Sequence, residues 1–163
     1  MPDEFVDLEY DLRRVEASRL RAFAKCVTAN RIEADELVED ALMLFLAEDR
    51  ILRECDACFA ELVEVFRRVH ARVALIQVSR TSPDKEYAAL IHLSLPEREV
   101  AALVMGAGMS LPQAAGLLGL PLIDIEVLLQ CARSKLGTAS LPEWPLMQGA
   151  MGGYQSFEDD GIE

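Results

Sequence analysis

The sequence predicts an all-α protein made of two small helical units packed together, and three observations carry that prediction. Hydrophobic residues fill 52% of the 163 positions but aromatics only 6%, and Leu, Ala, Val and Glu are abundant, as suits helices around an aliphatic interior. Segment after segment repeats its apolar residues at helical spacing. Glycine and proline, the residues that interrupt helices, gather at a few boundaries.

The first predicted helix covers Glu9 to Lys25, with Leu12, Val15, Leu20, Phe23 and Ala24 in an apolar stripe and Arg13, Arg14, Arg19, Arg21 and Lys25 on the other faces. A break at Thr28, Ala29 and Asn30 precedes a second helix, Glu33 to Ala47. There Leu37, Val38, Ala41, Leu42, Leu44 and Phe45 face the core beside an exposed acidic face of Glu33, Asp35, Glu36, Glu39 and Asp40. That acidic face is either a solvated surface or a binding wall. The third helix runs from about Asp56 to Val78, with Phe59, Leu62, Val63, Phe66, Val69, Val73 and Ile76 in register and Arg67, Arg68 and Arg72 between them. The proline and small polar residues of Ser79 to Asp84 end it. The division expected is therefore a first unit at 1–80, a linker at 81–84, a second unit at 85–136 and an acidic, disordered tail at 137–163.

In the second unit, Lys85 to Leu93 is a short helix. Leu95-Pro96-Glu97-Arg98-Glu99 opens another, with proline in its first turn and acids near its positive end, running to about Met105. Gly106-Ala107-Gly108 ends it, and Ser110 is placed to cap the next. Leu111 to Leu136 then carries the packing pattern of a helix-turn-helix. Ala115 sits where the two helices meet, Gly119 supplies the positive backbone angle at the turn, Pro121 starts the second helix, and Leu118, Leu120, Ile125 and Leu128 fall on the buried face. Leu122, Ile123, Asp124, Glu126, Val127 and Gln130 are left facing outward. Only Gln130 suits a base edge, because phosphates repel Asp124 and Glu126. Leu122, Ile123 and Val127 are either anchors for a protein partner or buried against the other half of the chain.

The net charge of -12 and a pI near 4.6 argue against a general nucleic-acid surface, since non-specific affinity comes largely from cations against phosphate. No apolar run reaches the length of a membrane span and the acidic start MPDEFVDLEY is unlike a signal peptide, so a cytoplasmic protein with no membrane contact is expected. In the tail, Glu143, Glu158, Asp159, Asp160 and Glu163 supply charge, while Trp144, Leu146, Met147, Tyr154 and Phe157 could dock on the domain itself.

No residue pattern points to catalysis. Cys55 and Cys58 form a single C-x-x-C without a second pair, and Cys26, Cys131, His70 and His92 lack ligand spacing, so thiols, no disulfide, no metal and no cofactor are expected. His70, between Arg68 and Arg72, reads as a surface residue. Glu39 and Asp40 are adjacent and point to different helical faces, which is poor geometry for shared acid-base work. With no phosphate-binding glycine loop and no nucleophile motif, the chain reads as a non-enzyme.

Two stretches resemble sigma-70-family sigma factors of the extracytoplasmic-function type. Leu93 to Leu136 is similar to their fourth conserved region, including the Leu-Pro-Glu-Arg-Glu opening and the closing Ala-Arg-Ser-Lys-Leu. RLRAFAKCVTANRIEADELVEDALMLFLAE, Arg19 to Glu48, looks like the second region, whose helices in that family clamp onto core RNA polymerase. The chain departs from the pattern on its DNA side. Its third helix lacks the Trp-containing segment and the Arg-Asn run that the family uses to melt and read the promoter, and its recognition helix is acidic and apolar outside. This combination is more similar to the sigma-factor-like domain of the PhyR general-stress response regulators, which binds the anti-sigma factor NepR in place of the sigma factor.

The resemblance implies a sigma mimic acting by protein-protein contact with an anti-sigma factor of the NepR type. The expected site is a groove between the units, with Leu122, Ile123, Asp124, Glu126 and Val127 on one wall and Asp35, Glu36, Glu39 and Asp40 on the other. PhyR has a receiver domain where this sequence has its acidic tail, so binding is expected to be constitutive or controlled otherwise, for instance by the tail covering the site. The alternative is a divergent sigma factor binding core polymerase and promoter DNA. It needs usable basic patches from Arg13, Arg14, Arg67, Arg68, Arg72, Arg133 and Lys135, with Gln130 reading bases and Arg133 and Lys135 at the phosphates. A third reading is a helix-turn-helix reduced to a dimerisation scaffold.

Overall fold

The computed structural model describes residues 3–48, 55–76, 82–139 and 141, with the backbone alone at 3–15, 55–57 and 76. The expected tail beyond Leu141, with its acids and Trp144, Leu146, Met147, Tyr154 and Phe157, lies outside these residues, as do the side chains of Leu12, Arg13, Arg14, Val15, Cys55 and Ile76. Helix α1 spans Asp3–Thr28, α2 Arg31–Ala47 and α3 Cys55–Ile76. They pack on one another through the apolar stripes that the sequence marks. Leu20, Phe23, Ala24, Leu37, Val38, Ala41, Phe45, Phe59, Leu62, Val63, Phe66 and Val69 are all buried, and Phe23 meets Phe66 edge to face at 5.6 Å, a favoured aromatic geometry.

Arg19 is a correction to the helical wheel. It is buried rather than on an outer face, its guanidinium 4.1 Å over the ring of Phe59 and paired with buried Glu16 at 3.3 Å. Apolar packing of the guanidinium face, with its edge satisfied by a carboxylate, makes that burial tolerable.

The break between α1 and α2 is built from side-chain caps. Ala29 takes a left-handed φ of 56°, ending α1 where glycine is commoner. The Asn30 side chain accepts from Glu33 N at 3.0 Å and donates to the Ser82 carbonyl at 2.9 Å. Asp84 completes the tie: its amide donates to the Ala29 carbonyl and its carboxylate accepts from Arg31 N at 2.8 Å. The described part of the expected linker, residues 82–84, is thus fastened to the α1–α2 turn.

The predicted short helix at Lys85 to Leu93 is a 3-10 helix, Lys85–His92, which buries Tyr87 and Leu90. Helix α4, Leu95–Val100, begins in a full capping box between Ser94 and Glu97 and continues as a π-helical turn, Ala101–Gly106, whose Ala101, Ala102 and Leu103 are buried. Ser110 caps α5, Leu111–Leu118, through a second capping box with Gln113, and Gly119 at φ 66° ends it. Helix α6, Leu122–Leu136, then leaves at 107° to α5, as expected for the predicted motif.

One hydrophobic core runs from Leu20 in α1 to Leu136 in α6, with Leu141 packed at its edge. Helix α1 joins the two segments, contacting α2 and α3 on one side and the 3-10 helix, α4 and the π turn on the other. No single helix among the described residues is long and apolar enough to cross a membrane.

Candidate partner-binding surfaces

Helix α6 commits Ile125, Leu129, Ala132 and Leu136 to the core, a spacing of three to four that uses one face and turns the opposite face outward. Leu122, Ile123 and Val127 are 45%, 62% and 53% exposed, so the alternative in which they are buried against the rest of the chain does not hold. Asp124, Glu126 and Gln130 are exposed beside them. The result is a mixed apolar and acidic strip. Three large side chains held in water on one helix are unusual for a surface without a partner.

Helix α2 presents a second such surface. Asp35, Glu36, Glu39 and Asp40 are exposed as expected, while Glu33 is half-buried. Ile32, Met43 and Leu46 are also exposed, at 69%, 65% and 62%. A shallow groove of about 530 Å³ is lined by Ile32, Asp35, Glu36, Val38, Glu39, Leu42, Met43 and Leu46, with Arg21 of α1 at its side. Arg21 Nε donates to Asp35 at 2.7 Å across this rim. The exposed Ile32, Met43 and Leu46 escape helical periodicity because they flank the core stripe rather than continue it.

Helix α2 packs on α1 and α3, and α6 packs on α4, α5 and the two tight helical turns. The described lining of the α2 groove contains no α6 residue.

Between them lies a junction that the sequence reading treats only as a helix start. Glu97, Arg98 and Glu99 each hold a different element. Glu97, 6% exposed, accepts both 2.8 Å contacts of the Lys135 ammonium and so ties α4 to the last turn of α6. That pairing, with the Ser94 amide, holds its carboxyl below the usual glutamate range. Arg98 Nε donates to the Leu90 and Leu93 carbonyls at 2.8 and 3.1 Å, and its Nη1 to the Val27 carbonyl at 2.8 Å. Val27 lies in the last turn of α1, where carbonyls lack helical partners and the dipole is negative. Glu99 accepts from Arg67 Nε of α3 at 2.9 Å.

Several cations required for a DNA surface are engaged this way. Lys135 is on Glu97, Arg67 on Glu99 and Arg68 on Glu48 at 2.9 Å, while Arg72 and Arg133 are exposed. His70 corrects another expectation. It is half-buried, stacked on Phe66 at 5.9 Å with a 17° interplanar angle, and burial pushes its imidazole below the usual value.

Two solved structures that are similar to this chain are complexes. One is the sigma factor RpoE with the anti-sigma factor NepR from Bartonella quintana, with a TM-score of 0.62 and 22% identity over 80% of this chain and 94% of that one. The other is the PhyRSL-NepR complex from Sphingomonas sp. Fr1, with a TM-score of 0.57 and 19% identity over 83% of this chain and 91% of that one. No protein-family model matches the sequence, and comparison with curated proteins gives no match. The described residues have the sigma-like helical fold of both.

Proposed function

We propose that this chain is a sigma-factor-like transcription regulator that works by protein-protein contact, as a mimic that binds an anti-sigma factor of the NepR type. The observation that carries the reading is the outer face of α6: Leu122, Ile123 and Val127 are held in water between Asp124 and Glu126, on a helix whose basic end is partly spent on Glu97. Such a face repels phosphate and attracts a basic amphipathic helix. The company of the fold supports the partner, since RpoE and PhyRSL are each described in complex with NepR. The α2 surface, with Asp35, Glu36, Glu39 and Asp40, is a second contact of the same character. Nothing in this reading requires catalysis, a metal or a cofactor.

The test is a calorimetric titration of the purified chain with a NepR-type protein, beside a promoter-binding assay with added core polymerase at stated salt. Saturable one-to-one binding without promoter recognition supports the mimic. Promoter-specific binding with core polymerase supports the second reading, a divergent sigma factor, which the RpoE likeness and the exposed Arg72, Gln130 and Arg133 favour.

A further inference from the structure

Helix α2 carries two registers, one spent on the core and one left outside it. Ala34, Leu37, Val38, Ala41 and Phe45 make the first. The second is Ile32, Glu36, Glu39, Met43 and Leu46, which follow one another at intervals of four, three, four and three residues, the spacing that keeps a single narrow seam along a helix. All five are exposed, and all five line the same shallow groove. The seam is apolar at both ends and doubly acidic at its centre. Asp35 beside it is already held by Arg21 at 2.7 Å, whereas Glu36 and Glu39 have no ion pair among the described residues.

We infer that this seam is a coiled-coil docking site for one helix of a partner protein, whose facing seam carries Lys or Arg at two successive central positions between apolar ends. From Ile32 to Leu46 the seam rises about 21 Å along the axis, enough for an extended helix pair. Its apolar ends supply contact and its acidic centre supplies choice. A charged layer inside an apolar seam fixes register and partner, because a facing helix without cations buries two carboxylates unpaired.

The other occupants fit poorly. A parallel second copy sets Glu36 and Glu39 each against itself, and an antiparallel one sets Glu39 against Glu39 and Glu36 against Met43. Both place like charges or an unpaired carboxylate in the seam. The residues after Leu136 contain no Lys or Arg, so they supply no cation either. Nucleic acid is repelled by the carboxylates. The occupant is therefore a basic-centred amphipathic helix of another protein, and only its identity as the anti-sigma factor rests on the function proposed above.

The experiment measures binding of the full chain to two labelled helical peptides of about three heptads. Both have leucine at the a and d positions except for two central ones, which are lysine in one peptide and glutamate in the other. Fluorescence anisotropy at low salt should show the lysine peptide binding at least about tenfold more tightly. Glu36→Lys combined with Glu39→Lys should invert that preference, and Glu36→Gln combined with Glu39→Gln should abolish it. Asp40→Lys, exposed on the same helix but off the seam, should leave its order unchanged. A preference that does not invert overturns the inference.

The same variants titrated with a NepR-type protein identify the occupant. A loss of at least about tenfold in the double lysine variant, absent in Asp40→Lys, supports the anti-sigma helix. Equal binding by wild type and the double variant overturns that occupant. If the NepR-type protein does not bind the wild type at all while the peptide preference inverts, the function proposed above falls and the seam stands.

Discussion

Lys135 and Glu97 are 38 residues apart, yet the ammonium donates to both carboxylate oxygens at 2.8 Å. This pairing takes a cation that the sigma resemblance assigns to phosphate and uses it to close α6 on α4. Lys135→Ala leaves a nearly buried carboxylate without its main partner, and its own side chain is partly exposed. The expected loss of stability is about 1 kcal/mol, measured by urea denaturation at pH 7, with little change in any residual DNA affinity.

The same pair sets an acid limb. Glu97 has a lowered pKa through Lys135 and Ser94, so its contribution is complete above the ordinary glutamate value of 4.5 and disappears as pH falls through the lower folded value. Glu97→Gln should be less stable than wild type at pH 7 and should lose less stability on going from pH 5 to pH 3. Denaturant midpoints across that range decide it. Parallel curves would remove Glu97 as a source of the acid limb.

Arg98 is the costlier residue to replace. Its guanidinium fills three acceptors, in the 3-10 helix, at Leu93 and at the end of α1. Arg98→Ala should cost about 3 kcal/mol, the range found when one partner of a buried charged network is removed. Arg98→Lys should recover less than half, because an ammonium lacks the planar fork that reaches divergent carbonyls. Thermal or urea unfolding of the two variants side by side gives the comparison.

The elements were readable in the sequence because each one carries its own boundary chemistry. Ser110 as a helix cap and Gly119 with φ 66° are local signals, and both occur as expected. The outward set on α6 was readable for the same reason, since helical spacing from Ile125 fixes which residues point away. The polar junction around Glu97, Arg98 and Glu99 was not readable. Glu97 to Lys135, Arg67 to Glu99 and Arg98 to Val27 join residues 32 to 71 positions apart, and charge pattern along one helix says nothing about partners on another. Arg19 looked solvated from its own charge and helical position, and His70 from the flanking Arg68 and Arg72, while Phe59 and Phe66 gave each a ring to cover it.

Gly119 offers a test of the turn alone. Its φ is +66° and a Cβ added there meets nothing within 4 Å, so the penalty for alanine is backbone strain without a clash. Gly119→Ala should lower stability by about 1 kcal/mol, and Gly119→Asn by less, since asparagine tolerates the left-handed region. Equal losses for both would mean that the turn relaxes out of this conformation.

The outer face of α6 makes the functional prediction. Glu126 is exposed in the middle of the helix, so Glu126→Lys should leave the unfolding midpoint nearly unchanged. Asp124 stands in the first turn, where a carboxylate favours the helix dipole, and its reversal should cost about 0.5 kcal/mol of stability. If a basic anti-sigma helix lies on this face, the double reversal should weaken its binding at least about tenfold, about 1.4 kcal/mol, mostly through slower association at low salt. Ile123→Ala should instead act on dissociation, because it removes apolar contact rather than steering charge. Binding kinetics at two salt concentrations separate the two effects. If all three substitutions leave both rates unchanged, the partner does not use α6, and the α2 groove becomes the surface to mutate next.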